Sequence, residues 1–532
     1  MRGWTAEQIA RHAGARLIAR APARSAGPER VVIDSREAGP GALFVGLRGQ
    51  YVEGGAFAPQ AVANGAWGVL TTPEHAAAID RGTPGPAGAG PSAGDTPALL
   101  VAEDPLRALQ RLATAWRRAL GAHVIGVTGS TGKTSTKDLL LAVLTPHRRT
   151  VASRANFNTE IGLPLELLGA PADTEVLVLE MAMRGAGQIA ELAAIAEPDV
   201  AVIVTIGPVH LELLGTIEAI AAAKAELIAA LAPGATAVVP AREPLLAPHL
   251  RDDVRTITFG EGGDVELVRS DAAQVEIDLA GERIILDVPF PQAHLRRNLL
   301  AAVAAARAVG VRPAGRVELA LSAGRGQRME LPEGVTLIDD CYNANPVSMR
   351  AALDDLAATP TPIPTPTATA TPDATPNATA TPNATPNATS SNGKAGAAAS
   401  LRGRRVAVLG DMLELGPAER DFHVEIGGYA ARAGVDTLVT VGPLAAAMAE
   451  AFDGELHRAA DAAEAAALVL GLIRPGDTVL VKGSRGVGLE LVCHALGAAA
   501  PQTGPDGGTP GAGSAGGTPG AGGTRRTRGT RR

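Results

Sequence analysis

Aromatic residues are scarce in this chain of 532 residues, since Phe, Trp and Tyr together make up 2% of it. The core must therefore be filled mainly by Leu, Val, Ile and Ala. The shares of hydrophobic (46%) and charged (19%) residues are typical of a globular protein. Cysteine is rare as well, with only Cys341 and Cys493. We expect these two to form neither a metal-ligand cluster nor a disulfide framework, as suits a reducing cytosol.

Long hydrophobic stretches are also missing. Residues 1–20 contain no apolar signal core, and runs such as 200–206 are far shorter than the ~20 residues that cross a bilayer. We therefore expect a cytoplasmic protein without a membrane span. The formal net charge is −7, which argues against a general nucleic-acid binder. Anionic substrates would need local positive groups.

Three segments lack the apolar residues that a folded core requires, and we predict that they are disordered. They are 81–97, the Thr-Pro-Ala repeat 359–400 and the Gly-rich tail 501–532. Three folded blocks remain, 1–120, 121–322 and 323–500. Strand and helix patterns alternate in the second and third blocks, which predicts α/β domains with mainly parallel sheets. The insert 359–400 is predicted to join a helix to a strand on the surface of the third block.

The most informative motif is the run Gly-Val-Thr-Gly-Ser-Thr-Gly-Lys-Thr at 126–134. We interpret it as a phosphate loop of the pattern G-x-x-x-x-G-K-[ST], placed between a buried strand and a helix. Glycines let backbone amides curl around phosphate oxygens, and the helix N-terminus favours negative charge. Lys133 would reach the β- and γ-phosphates, and Thr134 would bind Mg²⁺. Kinases, GTPases, transport ATPases and ligases all carry such loops, so further residues must decide the reaction.

Three residues elsewhere in the second block are candidate partners of this loop. Glu180 ends an apolar strand, where a side chain faces the ligand crevice of a parallel sheet and suits a hard cation. His210 follows the next strand, and Lys224 lies in an Ala-rich helix. Taken singly, a histidine in a loop is more often structural, and a lysine on a helix is usually a solvated charge.

Together these residues resemble the Mur ligase family. The resemblance covers almost all of residues 1–500 apart from the insertions. The matching segments are 33–36 and 40–49 in the first block, 128–134, 156–164, 180–181, 208–212 and 223–226 in the second, and 328–330, 340–346, 348–349, 409–416 and 482–485 in the third.

Within that family the third block is most similar to the branch that adds D-alanyl-D-alanine. Tyr-Asn-Ala-Asn-Pro at 342–346 and Lys-Gly-Ser-Arg at 482–485 stand where the diaminopimelate- or lysine-adding branch has Tyr-Ala-His-Thr-Pro and Gly-Lys-Gly-His-Glu. The resemblance implies an α/β fold of three domains: a small substrate domain, a central phosphate-loop domain with a parallel or mixed sheet, and a C-terminal Rossmann-like domain. The first would bind a UDP-muramoyl peptide, the second ATP and the third D-alanyl-D-alanine.

The resemblance also implies residue roles. Catalysis would rest on Lys133, Glu180, His210 and Lys224. Thr134 and Glu180 would hold one Mg²⁺, and Glu180, His210 and a carbamate of Lys224 a second. The nucleotide would contact Thr128, Gly129, Ser130, Thr131, Gly132, Lys133, Thr134, Ser135, Asn298, Arg328 and Asp340. The other substrates would contact Ser35, Arg36, Asn156, Thr159, Asn343, Asn345 and Lys482.

Two positions depart from the family pattern. Leu295 stands where the family usually has Asn directly after His in the adenine segment, and 54–57 reads Gly-Gly-Ala-Phe instead of Gly-His-Asp-Phe. The expected reaction joins D-alanyl-D-alanine to UDP-N-acetylmuramoyl-tripeptide through an acyl phosphate, in a monomeric enzyme. Alternatives are another amino-acid ligase of the family, a folylpolyglutamate synthase, or a phosphate-loop ATP-binding switch without ligase chemistry.

Overall fold

The structure is a computed structural model that describes residues 1, 3–19, 27–49, 52–80, 97–154, 156–360 and 403–498. The predictions of disorder for 81–97, 359–400 and 501–532 lie outside these residues except at 97, 359 and 360. Within the described ranges, none of the helices combines the length and hydropathy needed to cross a bilayer.

The first domain is a five-stranded sheet in the order β1-β5-β4-β3-β2, in which only β1 runs antiparallel. Strands β3, β4 and β5 are buried along their whole length, as their continuous apolar sequences predict. The elements are α1 (Ala6–Ala13), β1 (Arg16–Ala19), β2 (Arg30–Val32), β3 (Ala42–Val45), α2 (Ala58–Ala63), β4 (Gly68–Thr71), α3 (Pro73–Asp80), β5 (Ala98–Val101) and α4 (Pro105–Leu120).

The central domain has a ten-stranded mixed sheet in the order β15-β14-β13-β12-β11-β10-β9-β6-β8-β7. The neighbouring strands β12, β11, β10, β9, β6, β8 and β7 are all parallel. Strands β12, β13 and β14 form an antiparallel meander at one side of the sheet. The strands are β6 (His123–Thr128), β7 (Thr150–Ala152), β8 (Val176–Glu180), β9 (Val200–Ile203), β10 (Thr236–Pro240), β11 (Arg255–Phe259), β12 (Val265–Ser270), β13 (Gln274–Leu279), β14 (Glu282–Asp287) and β15 (Gly315–Arg316). The helices are α5 (Lys133–Leu144), α6 (Gly162–Gly169), α7 (Gln188–Ala196), α8 (Leu211–Leu214), α9 (Ile217–Ala229) and α10 (Ala293–Ala308).

The third domain has a six-stranded sheet in the order β16-β17-β21-β18-β19-β20, with β16 antiparallel to the rest. Two apolar clusters cover its two faces, so it is a doubly covered α/β sheet. The elements are β16 (Gln327–Leu331), β17 (Val335–Asp339), α11 (Pro346–Ala358), β18 (Arg405–Gly410), α12 (Glu419–Arg432), β19 (Thr437–Val441), β20 (Glu455–Ala459), α13 (Ala462–Leu472), β21 (Thr478–Lys482) and α14 (Glu490–Ala498).

Helix α4 connects the first two domains through packing and hydrogen bonds. It contacts α1 on one side and α6 and α7 on the other, and one apolar cluster runs through both domains. The indole nitrogen of Trp116 donates to the carbonyl of Ala170 at 3.2 Å, and the Gln110 amide donates to the Glu160 carbonyl at 3.2 Å. The helix therefore holds the sheet of the first domain against the central domain.

The structure confirms the predicted three-domain α/β fold, while the exact domain boundaries stay predictions. Two detailed expectations were wrong. Thr359, predicted to open the disordered insert, is buried at the C-cap of α11, where its hydroxyl accepts a hydrogen bond from Arg328. The two cysteines were expected to form no metal-ligand cluster, but they lie together with Asp339 in a group that could hold a metal ion, because α14 packs against β17. Contacts between residues so distant in the chain leave no local pattern in the sequence.

Two adjacent glycines in α12 give a matched stability test. A Cβ at Gly427 would lie 1.9 Å from the carbonyl oxygen of Met448, whereas one at Gly428 would meet the Ala451 side chain at 3.4 Å. We expect Gly427→Ala to destabilise the protein by about 1–3 kcal/mol because the backbone must move. We expect Gly428→Ala to be neutral or to stabilise by up to ~1 kcal/mol because alanine favours helix. Urea unfolding of both variants checks this, and equal effects would contradict the packing argument.

Candidate active site

The loop between β6 and α5 is the centre of the candidate active site. Gly132 has φ +79°, a backbone conformation that glycine adopts at little cost. A Cβ there would lie 2.9 Å from the Val204 side chain and 3.0 Å from the Asn298 amide. One detail of the motif was misassigned: Gly126 lies inside β6, six residues before Gly132 instead of the five that the pattern requires. The loop is formed by residues 129–132, and Gly129 is its first glycine.

Side-chain hydrogen bonds fix this loop against the segment that follows β9. The Ser130 hydroxyl donates to the Gly207 carbonyl and accepts from the Gly207 amide, both at 2.9 Å. The Thr131 amide donates to the Thr205 hydroxyl at 2.9 Å. Thr128 is fully buried at the end of β6, and Ser135 is half-buried in the first turn of α5. The loop is therefore held in shape by the protein itself.

Lys133 begins α5 and turns back over the loop, so that its ammonium group donates to the Gly129 carbonyl at 2.9 Å. Burial lowers the pKa of this ammonium group; the Glu180 carboxylate opposes the shift, and Arg325 adds to it. The ammonium group thus lies over the loop, close enough to Glu180 to interact with it.

Glu180 is a buried carboxylate at the C-terminal end of β8, with 3% of its surface exposed. One oxygen accepts from the Thr134 hydroxyl at 2.8 Å and the other from the Asn158 amide at 2.9 Å. Its backbone amide donates to Ser153 at 3.0 Å. Carboxylate and hydroxyl oxygens are the ligands that Mg²⁺ prefers, so Thr134 and Glu180 fit a magnesium ion beside the phosphates.

His210 connects the central and third domains. It precedes α8 with φ +54°, and its Nδ1 is hydrogen-bonded to the carboxylate of Glu414 from the third domain. Burial lowers the pKa of the His210 imidazole, and Glu414 opposes that shift. Arg184 lies 3.4 Å from the other oxygen of Glu414. Because Nδ1 is engaged, Nε2 is the nitrogen available to a ligand.

Lys224 lies on α9 and is only 2% exposed. No carboxylate in the described part of the chain lies within 4.0 Å of its ammonium nitrogen, whereas Lys133 is near enough to repel it. Burial first, and then Lys133, lower the pKa of Lys224 well below its ordinary value. A lysine buried in this way does not fit the alternative of a solvated surface charge.

The third domain contributes a charged pair formed by Lys482 and Asp340. The Lys482 ammonium nitrogen lies 2.7 Å from the Asp340 carboxylate and donates to the Asn343 carbonyl at 3.0 Å. Asn345 has a structural use, because its side chain caps α11 by accepting from the Ser348 amide at 2.9 Å. The Asn343 residue itself is exposed.

A cavity of about 530 Å³ opens between the central and third domains, within the size range of ligand pockets. Arg328 lines it and is anchored by Asp355 at 2.7 Å. Leu295 lines it as well, one turn of α10 before Asn298, which touches the phosphate loop. The cavity therefore lies at the N-terminal end of α10, about one helical turn from the residue that approaches the loop.

The comparisons with known proteins agree with this geometry. Family models match in all three domains: "Mur ligase family, catalytic domain" at 29–114, "Mur ligase middle domain" at 127–306 and "Mur ligase, glutamate ligase domain" at 380–485. The UDP-N-acetylmuramoyl-tripeptide--D-alanyl-D-alanine ligase of Synechocystis sp. is 36% identical over 88% of this chain and 92% of its own length. This chain belongs to the Mur ligase family.

Other relatives and solved structures are also similar to this Mur ligase over most of its length. The UDP-N-acetylmuramoyl-tripeptide--D-alanyl-D-alanine ligase of Bacillus subtilis is 34% identical over 88% of the chain and 92% of its own length. Among solved structures, MurF from Acinetobacter baumannii has a TM-score of 0.74 at 27% identity, covering 93% of this chain and 98% of its own. MurF from Thermotoga maritima in complex with ADP has a TM-score of 0.68 at 27% identity, covering 88% and 96%.

The remaining residues proposed from the sequence of this Mur ligase lie in the first domain and in the segment between β7 and α6. Ser35 and Arg36 follow β2 in the first domain; the Ser35 hydroxyl donates to Gln60 at 3.0 Å, and Arg36 pairs with Asp34. That pairing lowers the pKa of the Asp34 carboxyl to about 2. Asn156 and Thr159 are exposed between β7 and α6. Their substrate roles stay predictions.

Sequence reasoning missed two residues that position the site. Asn158, not Asn156, contacts Glu180, although both stand in the same family-like segment. Glu414, which is hydrogen-bonded to His210, lies in the 409–416 segment that supported the resemblance. The sequence did not indicate that this segment contacts His210. A third-domain residue that serves the central domain can be assigned only when both domains are seen together.

Proposed function

We propose that this Mur ligase uses ATP to join D-alanyl-D-alanine to the terminal carboxylate of UDP-N-acetylmuramoyl-tripeptide, releasing ADP and phosphate. The observation that carries the proposal is the cluster of Lys133, Thr134 and Glu180 on a preformed phosphate loop. The substrates are those of the similar UDP-N-acetylmuramoyl-tripeptide--D-alanyl-D-alanine ligases, and the similar MurF structure in complex with ADP supports the use of ATP. The nucleotide-linked precursor places the reaction in the cytoplasm.

The first chemical step brings one anion against another, so charge neutralisation is its main requirement. The peptide carboxylate attacks the γ-phosphorus of ATP, and the bond to the β-phosphate oxygen breaks to give an acyl phosphate and ADP. Lys133 and the loop amides offset negative charge on the phosphates during this transfer. In the second step the amine of D-alanyl-D-alanine attacks the acyl carbon, phosphate leaves, and the amine loses its proton.

The side chains fit two magnesium ions. Thr134 and Glu180 would hold the first; Glu180, Nε2 of His210 and a carbamate on Lys224 would hold the second. Bound Mg²⁺ supplies Lewis-acid stabilisation of the phosphoryl oxygens. The Lys224 amine fits carbamylation because it is buried, lacks an acidic partner in the described chain and has a lowered pKa. Its nitrogen would attack CO₂, form a C–N bond and lose a proton, which turns a cation into an oxygen ligand.

Residues of all three domains would contact the nucleotide and the other substrates. Asn298 and Arg328 beside the cavity would contact the nucleotide, together with Asp340 across the interface. Ser35 and Arg36 would lie towards the uridine diphosphate, and Asn343, Asn345 and Lys482 towards D-alanyl-D-alanine. Leu295 lines the cavity where relatives of this family usually carry Asn, so the base would meet an apolar wall there.

The direct test of the proposed function is phosphate release from ATP with UDP-N-acetylmuramoyl-tripeptide. We expect rapid release only when D-alanyl-D-alanine is also present, and a product enlarged by that dipeptide. Free amino acids serve as the competing nucleophiles. Turnover with a free amino acid and none with the dipeptide would assign the chain to another branch of the family. ATP binding without peptide-dependent release would make it a non-ligase ATP-binding protein.

Asn158 gives a prediction of moderate size. We expect Asn158→Ala to lower kcat about 10- to 100-fold and to raise the Mg²⁺ concentration needed for half-maximal rate, because the Glu180 carboxylate loses a group that orients it. Steady-state rates over a Mg²⁺ series measure both effects. Gln274→Ala, an exposed amide on β13, is the control and should leave both unchanged. An unchanged Mg²⁺ dependence in Asn158→Ala would separate Asn158 from the metal site.

A further inference from the structure

The only two cysteines of the chain meet in the third domain beside a carboxylate. Cys341 follows β17, Cys493 lies on α14, and both thiols are reduced and buried, with 6% and 4% of their residues exposed. Their sulfur atoms and a carboxylate oxygen of Asp339 all lie within 4.8 Å of one another. Three donor atoms from two separate segments of the chain therefore converge on one point, and none of them has a part in the proposed reaction.

The backbone explains why the donors face the same way. Side chains alternate across a strand, so Asp339 and Cys341 share the side of β17 that carries Val335 and Leu337. Cys341 and Cys493 belong to the same apolar cluster as these two residues. Asp340 lies on the opposite side, where it pairs with Lys482. A ligand held by Asp339 and Cys341 would thus fix the backbone that presents Asp340 to the domain interface.

The donor set selects one class of ligand. Two sulfurs and one oxygen suit a borderline-soft divalent cation that accepts a tetrahedral geometry, and they do not suit Mg²⁺ or Ca²⁺. Zinc holds sulfur at about 2.3 Å and oxygen at about 2.0–2.2 Å, so its donors lie roughly 3.5–3.8 Å apart. Side-chain movements of about 1 Å would bring the cluster to that spacing. Asp339 is half-buried, which leaves a route for a water molecule as the fourth ligand.

We propose that Asp339, Cys341 and Cys493 form a binding site for Zn²⁺ that fastens α14 to the end of β17. Binding removes the proton of each thiol and releases it to solvent, and the ion takes both sulfurs as thiolates. Contact with Cys341, burial and Asp339 all raise the pKa of the Cys493 thiol, which favours its protonated form when no cation is bound. The proposal does not rest on the proposed ligase reaction, and occupancy of the site would stabilise the third domain.

Cobalt is the probe that tests this site. The full chain, reduced and treated with a chelator, is titrated with Co²⁺, and the near-ultraviolet thiolate-to-cobalt absorption is followed. We expect one equivalent of Co²⁺ to produce the band, Zn²⁺ to displace it, and excess Mg²⁺ to leave it unchanged. Because the chain contains no other cysteine, a thiolate band can arise only from this pair. Added Zn²⁺ should also raise the melting temperature.

Two variants show whether the thiols and the carboxylate are the ligands of the bound ion. Cys493→Val should abolish the thiolate band, and Asp339→Asn should keep it while weakening Co²⁺ binding by about ten-fold or more. Absence of the band in the native chain, when both thiols are titratable after unfolding, would overturn the proposal. So would formation of a Cys341–Cys493 disulfide with dilute peroxide in a chain that gives no cobalt complex. If Cys493→Val does not fold, the native titration and Asp339→Asn decide the question.

Discussion

Replacing Lys133 with alanine is expected to lower kcat by about 10²–10³-fold or more while leaving the fold in place. The ammonium group lies over the loop at 2.9 Å from the Gly129 carbonyl, where it would offset charge on the transferred phosphoryl group. Burial lowers the pKa of the Lys133 ammonium group, so burial of the charged form costs the folded protein free energy. Removing the charge should not reduce the melting temperature. Phosphate release and thermal unfolding measure the two effects.

Two further variants make the Lys133 result specific. Lys133→Arg keeps the positive charge but replaces a compact ammonium by a planar guanidinium, so it should also be strongly impaired. Arg269→Ala removes an exposed charge on β12 and should retain full activity. Normal ligation by Lys133→Ala would refute the assignment of the phosphate loop. Loss of activity together with loss of the folded state would leave the charge argument without support.

Lys224→Ala is expected to reduce ligation by about 10²–10³-fold, with partial recovery when short carboxylic acids such as formate or acetate are added. The lysine is 2% exposed, and the burial that lowers its pKa favours the uncharged form of the amine, which is the form that reacts with CO₂. The lost carbamate would be replaced by a diffusible carboxylate, which offers the same oxygen ligands to the metal. Initial rates over a series of acid concentrations measure the recovery.

The control for Lys224 is the arginine variant, which keeps a cation but cannot form a carbamate. We expect Lys224→Arg to be as inactive as Lys224→Ala and to gain nothing from added acid, because its side chain fills the space. Removing dissolved CO₂ should slow the native enzyme and leave the variants unaffected. Full activity in Lys224→Ala would remove this lysine from the metal site.

Much of the fold could be read from local sequence patterns. The sequence patterns predict helices over 133–144 and 188–196 and strands or short apolar runs over 42–45 and 437–441, and α5, α7, β3 and β19 have these bounds. These elements have continuous apolar cores or clear helical periods, so their boundaries depend on nearby residues. The meander β12–β14 was missed because its strands are partly exposed and alternate in polarity, which weakens the signal of burial.

The candidate site was predictable only in its central part. Lys133, Thr134 and Glu180 stand at the ends of recognisable strands and helices, and the structure places them together. Glu414 beside His210 and the meeting of Cys341 with Cys493 depend on domain packing and on a distant helix. Such contacts are set by how separate elements pack against one another, and no periodicity in the chain encodes them.

The pairing of His210 with Glu414 bears on how this enzyme can be dissected. A fragment limited to residues 121–322 would retain the loop, Lys133 and Glu180, yet it would lack the Glu414 carboxylate that engages Nδ1 of His210. The imidazole could then rotate or expose either nitrogen to solvent. Screening inhibitors against such a fragment would therefore sample a histidine orientation that the intact protein does not present.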